Sequence, residues 1–121
     1  MTNNYQRGQK DSRPWGTWEV LDCGDGFCVK HIVVNPAGIL SLQSHQFRSE
    51  HWVIVEGTAT VTLGEQKLEK KAGEAVYIPA LTKHRIQNSS DKQMAFIEVQ
   101  CGDNLDENDI VRYEDVYGRV K

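Results

Sequence analysis

Apolar and polar residues alternate with a period of two along almost the whole chain, the mark of half-buried strands. The pattern predicts strands over 15–21 and 27–34, separated by the turn Asp22-Cys23-Gly24-Asp25-Gly26. A third runs over 39–45 after Asn35-Pro36-Ala37-Gly38, and a fourth over 50–55. Glu56-Gly57 then turns the chain into Thr58-Ala59-Thr60-Val61-Thr62-Leu63, where strict alternation puts threonines out and apolar residues in. Further strands are expected over 66–69, 75–78, 84–88 and 93–100, with a short last one over 111–113. The acidic tail from Gly102 to Asp109 has room for one helical turn. No 12-residue stretch keeps a 3.6-residue period. Short strands at this spacing predict an all-β domain, an antiparallel sandwich or barrel.

At 121 residues the chain is long enough for one core, and no repeat or linker divides it. Residues 1–12 are polar, lack the apolar region of a signal peptide and read as a flexible N-terminal arm, ahead of a domain over 13–121. A formal charge of −3 argues against nucleic acid or an anionic membrane as partner. No apolar run approaches the roughly 20 residues of a membrane span. Cys23, Cys28 and Cys101 are an odd number and read as reduced thiols of a cytoplasmic protein.

Four residues fall at spacings that fit one metal ion. Gln43 and His45 are two apart and project from one face of a strand. Glu50 follows across Gln46-Phe47-Arg48-Ser49; read as a hairpin loop, that segment makes His45 and Glu50 directly opposed, with Cβ atoms roughly 5 Å apart. His84 comes from a third strand, after Pro79 and a short loop. Two imidazoles, a carboxylate and an amide oxygen suit Zn²⁺, Fe²⁺, Mn²⁺, Co²⁺ or Ni²⁺. In the same hairpin register Trp52 lies opposite Gln43 and walls the pocket. Lys30, flanked by apolar residues, is either an inward cation or an outward one.

The residues carry a resemblance. Gly73, Pro79, Leu81, His84 and Asn88 follow the order of the second cupin motif, with Leu81 where glycine is usual. Gln43, His45, Glu50 and Gly57 follow that of the first, with glutamine in the first histidine's place. The segments Arg13-Pro14-Trp15-Gly16, Ser41-Leu42-Gln43, Arg48-Ser49-Glu50-His51-Trp52, Tyr77-Ile78-Pro79, Glu98-Val99-Gln100 and 109–119 resemble the cupin domain of type II phosphomannose isomerases. In many relatives this domain is the C-terminal half of a bifunctional mannose-1-phosphate guanylyltransferase/isomerase. The Gly-rich nucleotide-binding loop of the other half is not in this sequence, so guanylyl transfer is not expected of it. Phe47 stands where the family typically has histidine, and Gln46 where it often has another.

The resemblance implies a single-domain cupin, a double-stranded β-helix or jelly-roll-like antiparallel barrel. It implies one divalent metal, with zinc favoured over Mn, Fe, Co or Ni, a small-molecule sugar phosphate as partner, and a homodimer. The implied activity interconverts mannose 6-phosphate and fructose 6-phosphate through a cis-enediolate. That chemistry needs a general base, for which Glu98 and a metal-bound hydroxide are the candidates; strand alternation equally allows Glu98 a place on the solvent face. Arg48, in the loop beside two ligands, suits bidentate phosphate contact. Arg13, Arg112 and Arg119 lie in matched segments without a role readable from sequence. Two other functions fit the motifs. One is a cupin that binds a sugar or phosphosugar without turning it over. The other is a metal-dependent cupin dioxygenase, which the neutral amide of Gln43 disfavours.

Overall fold

The computed structural model describes residues 2–119. In chain order the strands are β1 (Thr2–Asn3), β2 (Lys10–Arg13), β3 (Gly16–Gly24), β4 (Phe27–Val34), β5 (Leu42–Ser44), β6 (Arg48–Glu56) and β7 (Thr58–Leu63). They continue as β8 (Gln66–Lys71), β9 (Ala75–Ile78), β10 (His84–Gln87), β11 (Met94–Gly102), β12 (Asn104–Leu105) and β13 (Val111–Glu114), with no helix among the described residues. Two sheets enclose the interior, one in the order β2-β3-β4-β11-β6-β9 and the other β13-β5-β10-β7-β8. All neighbours within these two sheets are antiparallel. The all-β antiparallel fold expected from the alternation is the one that forms.

Successive rungs across the larger sheet change from apolar to polar, and this places the site. Trp18, Ile32, Phe96 and Ile54 lie on neighbouring strands in one register and point inward. One inward rung further on stand Val20, Lys30, Glu98, Trp52 and Val76. The next joins Cys28, Gln100, Glu50 and Ile78. The opposite sheet supplies Ala59, Val61 and Ile86 over the apolar rungs, and His84 at the polar end. Burying each large aliphatic or aromatic side chain here contributes roughly 1.5–3 kcal/mol. The apolar rungs therefore hold the barrel, while the polar ones line its cavity.

Several expectations need correction. Residues 2–12 are not a loose arm: β1 pairs with β12, β2 pairs with β3, and Tyr5 is only 5% exposed against Trp18. Burying Tyr5 and satisfying backbone on two sheet edges outweigh the polar composition that suggested disorder. The acidic tail forms no helix, only one hydrogen-bonded turn over Asp106–Asp109, and it also contributes β12, whose Leu105 is fully buried. The third strand is shorter than expected, Leu42–Ser44, with an isolated bridge from Ile39 to Gln87. Met1, Val120 and Lys121 of the expected ranges lie outside the described residues.

The motif positions explain themselves locally. Gly57 turns β6 into β7 with φ +77°, and a Cβ there would sit 2.8 Å from the Gln93 carbonyl oxygen. Gly57→Ala is therefore expected to destabilise the domain by about 1–3 kcal/mol, read as a lower urea midpoint, because the added methyl meets backbone in a disfavoured conformation. An unchanged midpoint would contradict this geometry. Leu81 holds φ +66° at the position where the motif usually has glycine, and its N–H donates to the His45 carbonyl at 2.8 Å. Asn88 is fully buried, its amide donating to the carbonyls of Val34, Asn35 and Lys92, so it fastens a loop rather than lining the site.

Candidate metal centre

His45 follows β5, Glu50 sits in β6 and His84 opens β10. The expected hairpin does not exist: β5 pairs with β10 and β13, whereas β6 pairs with β11 and β9. His45 and Glu50 meet across the interior from opposite sheets, with His45 Nε2 3.2 Å from Glu50 Oε2. A link of three extended residues reaches about 10 Å, the spacing of packed sheets, so the chain crosses the barrel instead of folding back. Asp109 fixes this crossing. Its carboxylate accepts the backbone N–H groups of Gln46 and Phe47, each at 2.9 Å, and its carbonyl accepts the His45 Nδ1–H at 2.7 Å. Trp52 faces Glu98 and Val76 in register, not Gln43, yet still walls the cavity.

The ligand atoms of His45, Glu50 and His84 all lie within 4.8 Å of one another, and all three residues are buried. Each imidazole hands its Nδ1–H to a backbone carbonyl, His45 to Asp109 and His84 to Thr82 at 2.9 Å. Nε2 is then the unprotonated nitrogen on both rings, the arrangement that orients a histidine toward a metal. Burial disfavours the imidazolium forms and lowers the His45 pKa to about 4, with His84 lowered for the same first reason. Glu50 is different. Burial alone would raise its pKa, but Arg48, with the two histidines, holds it well below the usual carboxylate range. Two lone-pair donors, a neutral nitrogen and a carboxylate oxygen, thus face each other and call for a cation between them.

The residues present fit a divalent metal on that evidence. Gln43 lies opposite His84 in register, so both side chains share a face. Its amide nitrogen donates to the Ser41 hydroxyl at 3.0 Å and the Ser41 carbonyl at 3.3 Å, which leaves the amide oxygen as the atom able to ligate. Arg48 is the first residue of β6 and 6% exposed, not a solvated loop charge. Its Nε donates to Glu50 Oε2 at 2.9 Å and its Nη2 to His45 Nε2 at 3.3 Å. The latter contact uses the lone pair a metal would take, so metal binding and that contact exclude each other.

Glu98 points inward, which settles the choice of face left open by alternation. The Trp52 indole N–H is shared between Glu50 Oε1 at 2.9 Å and Glu98 Oε1 at 3.2 Å. Gln100 donates to Glu98 Oε2 at 2.8 Å. Burial, reinforced by the Glu50 charge, pushes the Glu98 pKa up to about 8. Lys30 is inward too, its Nζ 2.7 Å from Glu107 and 4.2 Å from the centre of the Trp18 ring. Tyr5 donates to the same Glu107 carboxylate. Asp109, Glu107 and Tyr5 were not singled out from sequence. Asp109 lies in a matched segment, but a carboxylate binding backbone N–H groups leaves no trace in periodicity.

Lys30, Gln43, Glu50, His84, Glu98 and Glu107 line a cavity of about 80 Å³ that also reaches Arg13, Arg85, Arg112 and Arg119. Phe47 does not line it; its side chain is 48% exposed on the outer surface, and only its backbone N–H serves the site.

Comparison with known proteins now places the chain. The family model described as mannose-6-phosphate isomerase C-terminal matches residues 1–115. The chain belongs to this family. Within the mannose-6-phosphate isomerase C-terminal family it is similar to the xanthan biosynthesis protein XanB of Xanthomonas campestris pv. campestris, at 48% identity over 93% of this chain and 24% of that protein. It is also similar to the mannose-1-phosphate guanylyltransferase ManC of Salmonella typhimurium, at 47% identity over 89% of this chain and 22% of that one. The chain thus spans about a quarter of the length of these curated relatives. Among solved structures, a conserved protein with a double-stranded β-helix domain from Klebsiella pneumoniae superposes with a TM-score of 0.74 at 18% identity, covering 87% of this chain and 90% of that one. The fold is a cupin double-stranded β-helix.

Proposed function

We propose that this family member is a metal-dependent phosphosugar isomerase interconverting mannose 6-phosphate and fructose 6-phosphate. The observation that supports it most is the pairing of two neutral imidazoles and an ionised carboxylate with a second, readily protonated carboxylate under one shared indole N–H. His45, Glu50 and His84, with Gln43 as fourth ligand, would hold the metal, and zinc is the proposed ion. When bound, the metal supplies Lewis-acid stabilisation for the negative charge that develops on the substrate oxygens.

The chain's own residues supply the proton chemistry. Glu98 takes the proton from the carbon next to the carbonyl, giving the cis-enediolate, and returns it to the neighbouring carbon while the hydroxyl proton passes from one substrate oxygen to the other, so no proton is gained or lost overall. Its raised pKa brings it close to neutral pH, where a carboxyl group is both a competent acid and a competent base. Trp52 and Gln100 hold its two oxygens, and Arg48 holds Glu50. The family departure at Phe47, which favours a binding-only cupin, lies outside the cavity and leaves these contacts untouched. A cytoplasmic location with reduced thiols and pairing as a homodimer belong to the same proposal; the exposed Val53, Val55 and Tyr77 offer an apolar outer face for pairing.

The test is metal analysis of purified protein followed by a coupled assay on mannose 6-phosphate. Glu98→Gln should lower kcat by on the order of 10²- to 10⁴-fold while metal content stays unchanged. Fully metal-loaded wild-type protein without turnover would overturn the isomerase reading.

A further inference from the structure

We infer that Arg112, assisted by Arg119 and Arg13, forms an anion subsite at the opening of the cavity that grips the phosphoryl group of the substrate. The identity of the ligand rests on the isomerase reading; the anion site itself rests on the placement of the three arginines.

Arg112 lies in β13 directly opposite Gln43, and Gln43 lies directly opposite His84 in β10. Opposed residues share a face, so Arg112, Gln43 and His84 form one rung along the inner side of the smaller sheet. With strands about 4.8 Å apart, Arg112 stands two strands, or roughly 10 Å, from His84. That separation suits a hexose whose carbonyl end meets the metal ligands while a terminal phosphoryl group reaches the rim.

The charge at the rim is left over after internal pairing. The Arg112 Nε is buried and has no hydrogen-bond partner among the described residues. Burial first, and Arg119 next, lower its pKa, which means a cation short of counter-charge. The neighbouring carboxylates are committed elsewhere: Asp115 accepts the Nε of Arg119 at 2.6 Å, and Glu107 takes Lys30 at 2.7 Å. Arg13 gives its Nη1 to Asp11, and its Nη2 is 3.7 Å from Glu107. All three arginines line both the cavity and the recess that opens from it. Guanidinium groups recognise phosphate bidentately, so an incoming phosphoryl dianion satisfies the orphan N–H and relieves the like-charge crowding together.

Isothermal titration of the full chain with mannose 6-phosphate, inorganic phosphate and mannose tests this. Mannose 6-phosphate is expected to bind at least about 10-fold more tightly than mannose, with inorganic phosphate competing. Arg112→Gln should weaken mannose 6-phosphate at least about 10-fold, the loss expected for a charge-assisted contact, with metal content unchanged. Undiminished affinity in Arg112→Gln, or mannose binding as tightly as its phosphate, would overturn the subsite. If Arg112→Gln does not fold by circular dichroism, Arg112→Lys, which keeps the charge but loses the planar fork, gives the readout instead and should still weaken mannose 6-phosphate. The two proposals fail separately. Phosphate binding that needs Arg112 in a protein without turnover keeps the subsite and sinks the isomerase. Turnover with KM indifferent to Arg112 does the reverse.

Discussion

His45→Ala and His84→Ala proteins are expected to purify essentially without metal, while wild type holds close to one equivalent by elemental analysis. Each histidine presents its Nε2 to the same small volume, and removing either leaves Glu50 with one nitrogen partner. Loss of even an outer partner of a metal ligand weakens affinity by roughly 10- to 100-fold, so loss of a ligand itself should exceed that range. The fold should survive, because both side chains sit at the polar end of the barrel, away from the rung of Trp18, Ile32, Phe96 and Ile54. Gln43→Ala should lose less, since an amide oxygen is the weakest donor of the four. Asp109→Ala should fall between, because it frees the crossing segment while leaving all four ligands in the chain. Metal content equal to wild type in both histidine variants would dismantle the site.

Phe96→Ala should cost about 3–5 kcal/mol, the largest stability loss expected of any single change discussed. Phe96 is fully buried, packs against Trp52 with ring centres 5.2 Å apart, and sits at the middle of the apolar rung. Four strands meet around it, and a barrel closed on both faces cannot easily collapse onto the void. Since a domain of this kind is held by only 5–15 kcal/mol in total, the variant should show a much lower urea midpoint with an unchanged slope. Leu21→Ala on the same sheet is the control: the residue is 44% exposed and faces outward, so its midpoint should hardly move. Equal losses at both positions would mean that the rung is not the core.

How far the sequence reaches can be seen at particular residues. The strands Phe27–Val34, Thr58–Leu63 and Ala75–Ile78 form over the expected residues, since inside and outside positions alternate without interruption. That His45, Glu50 and His84 come together, with their donor atoms within 4.8 Å of one another, was legible from spacing and motif order. The neighbouring hairpin was not. His45 and Glu50 do come together, but through a crossing between sheets held by Asp109, a residue more than sixty positions away. Composition likewise misled at the N-terminus, where Tyr5 is buried by partners in a distant tail.

The sequence by itself determined the all-β class, most strand positions, the cupin family and the candidate cluster of His45, Glu50 and His84, because each depends on local alternation or on residue order. Only the tertiary structure decided that Glu98 and Lys30 face inward, that Arg48 is locked to Glu50, and that Phe47 lies outside the cavity. It also decided that three arginines from opposite ends of the chain share one rim. Alternation states that a strand has two faces, and which of them is interior depends on the strands that come to lie beside it.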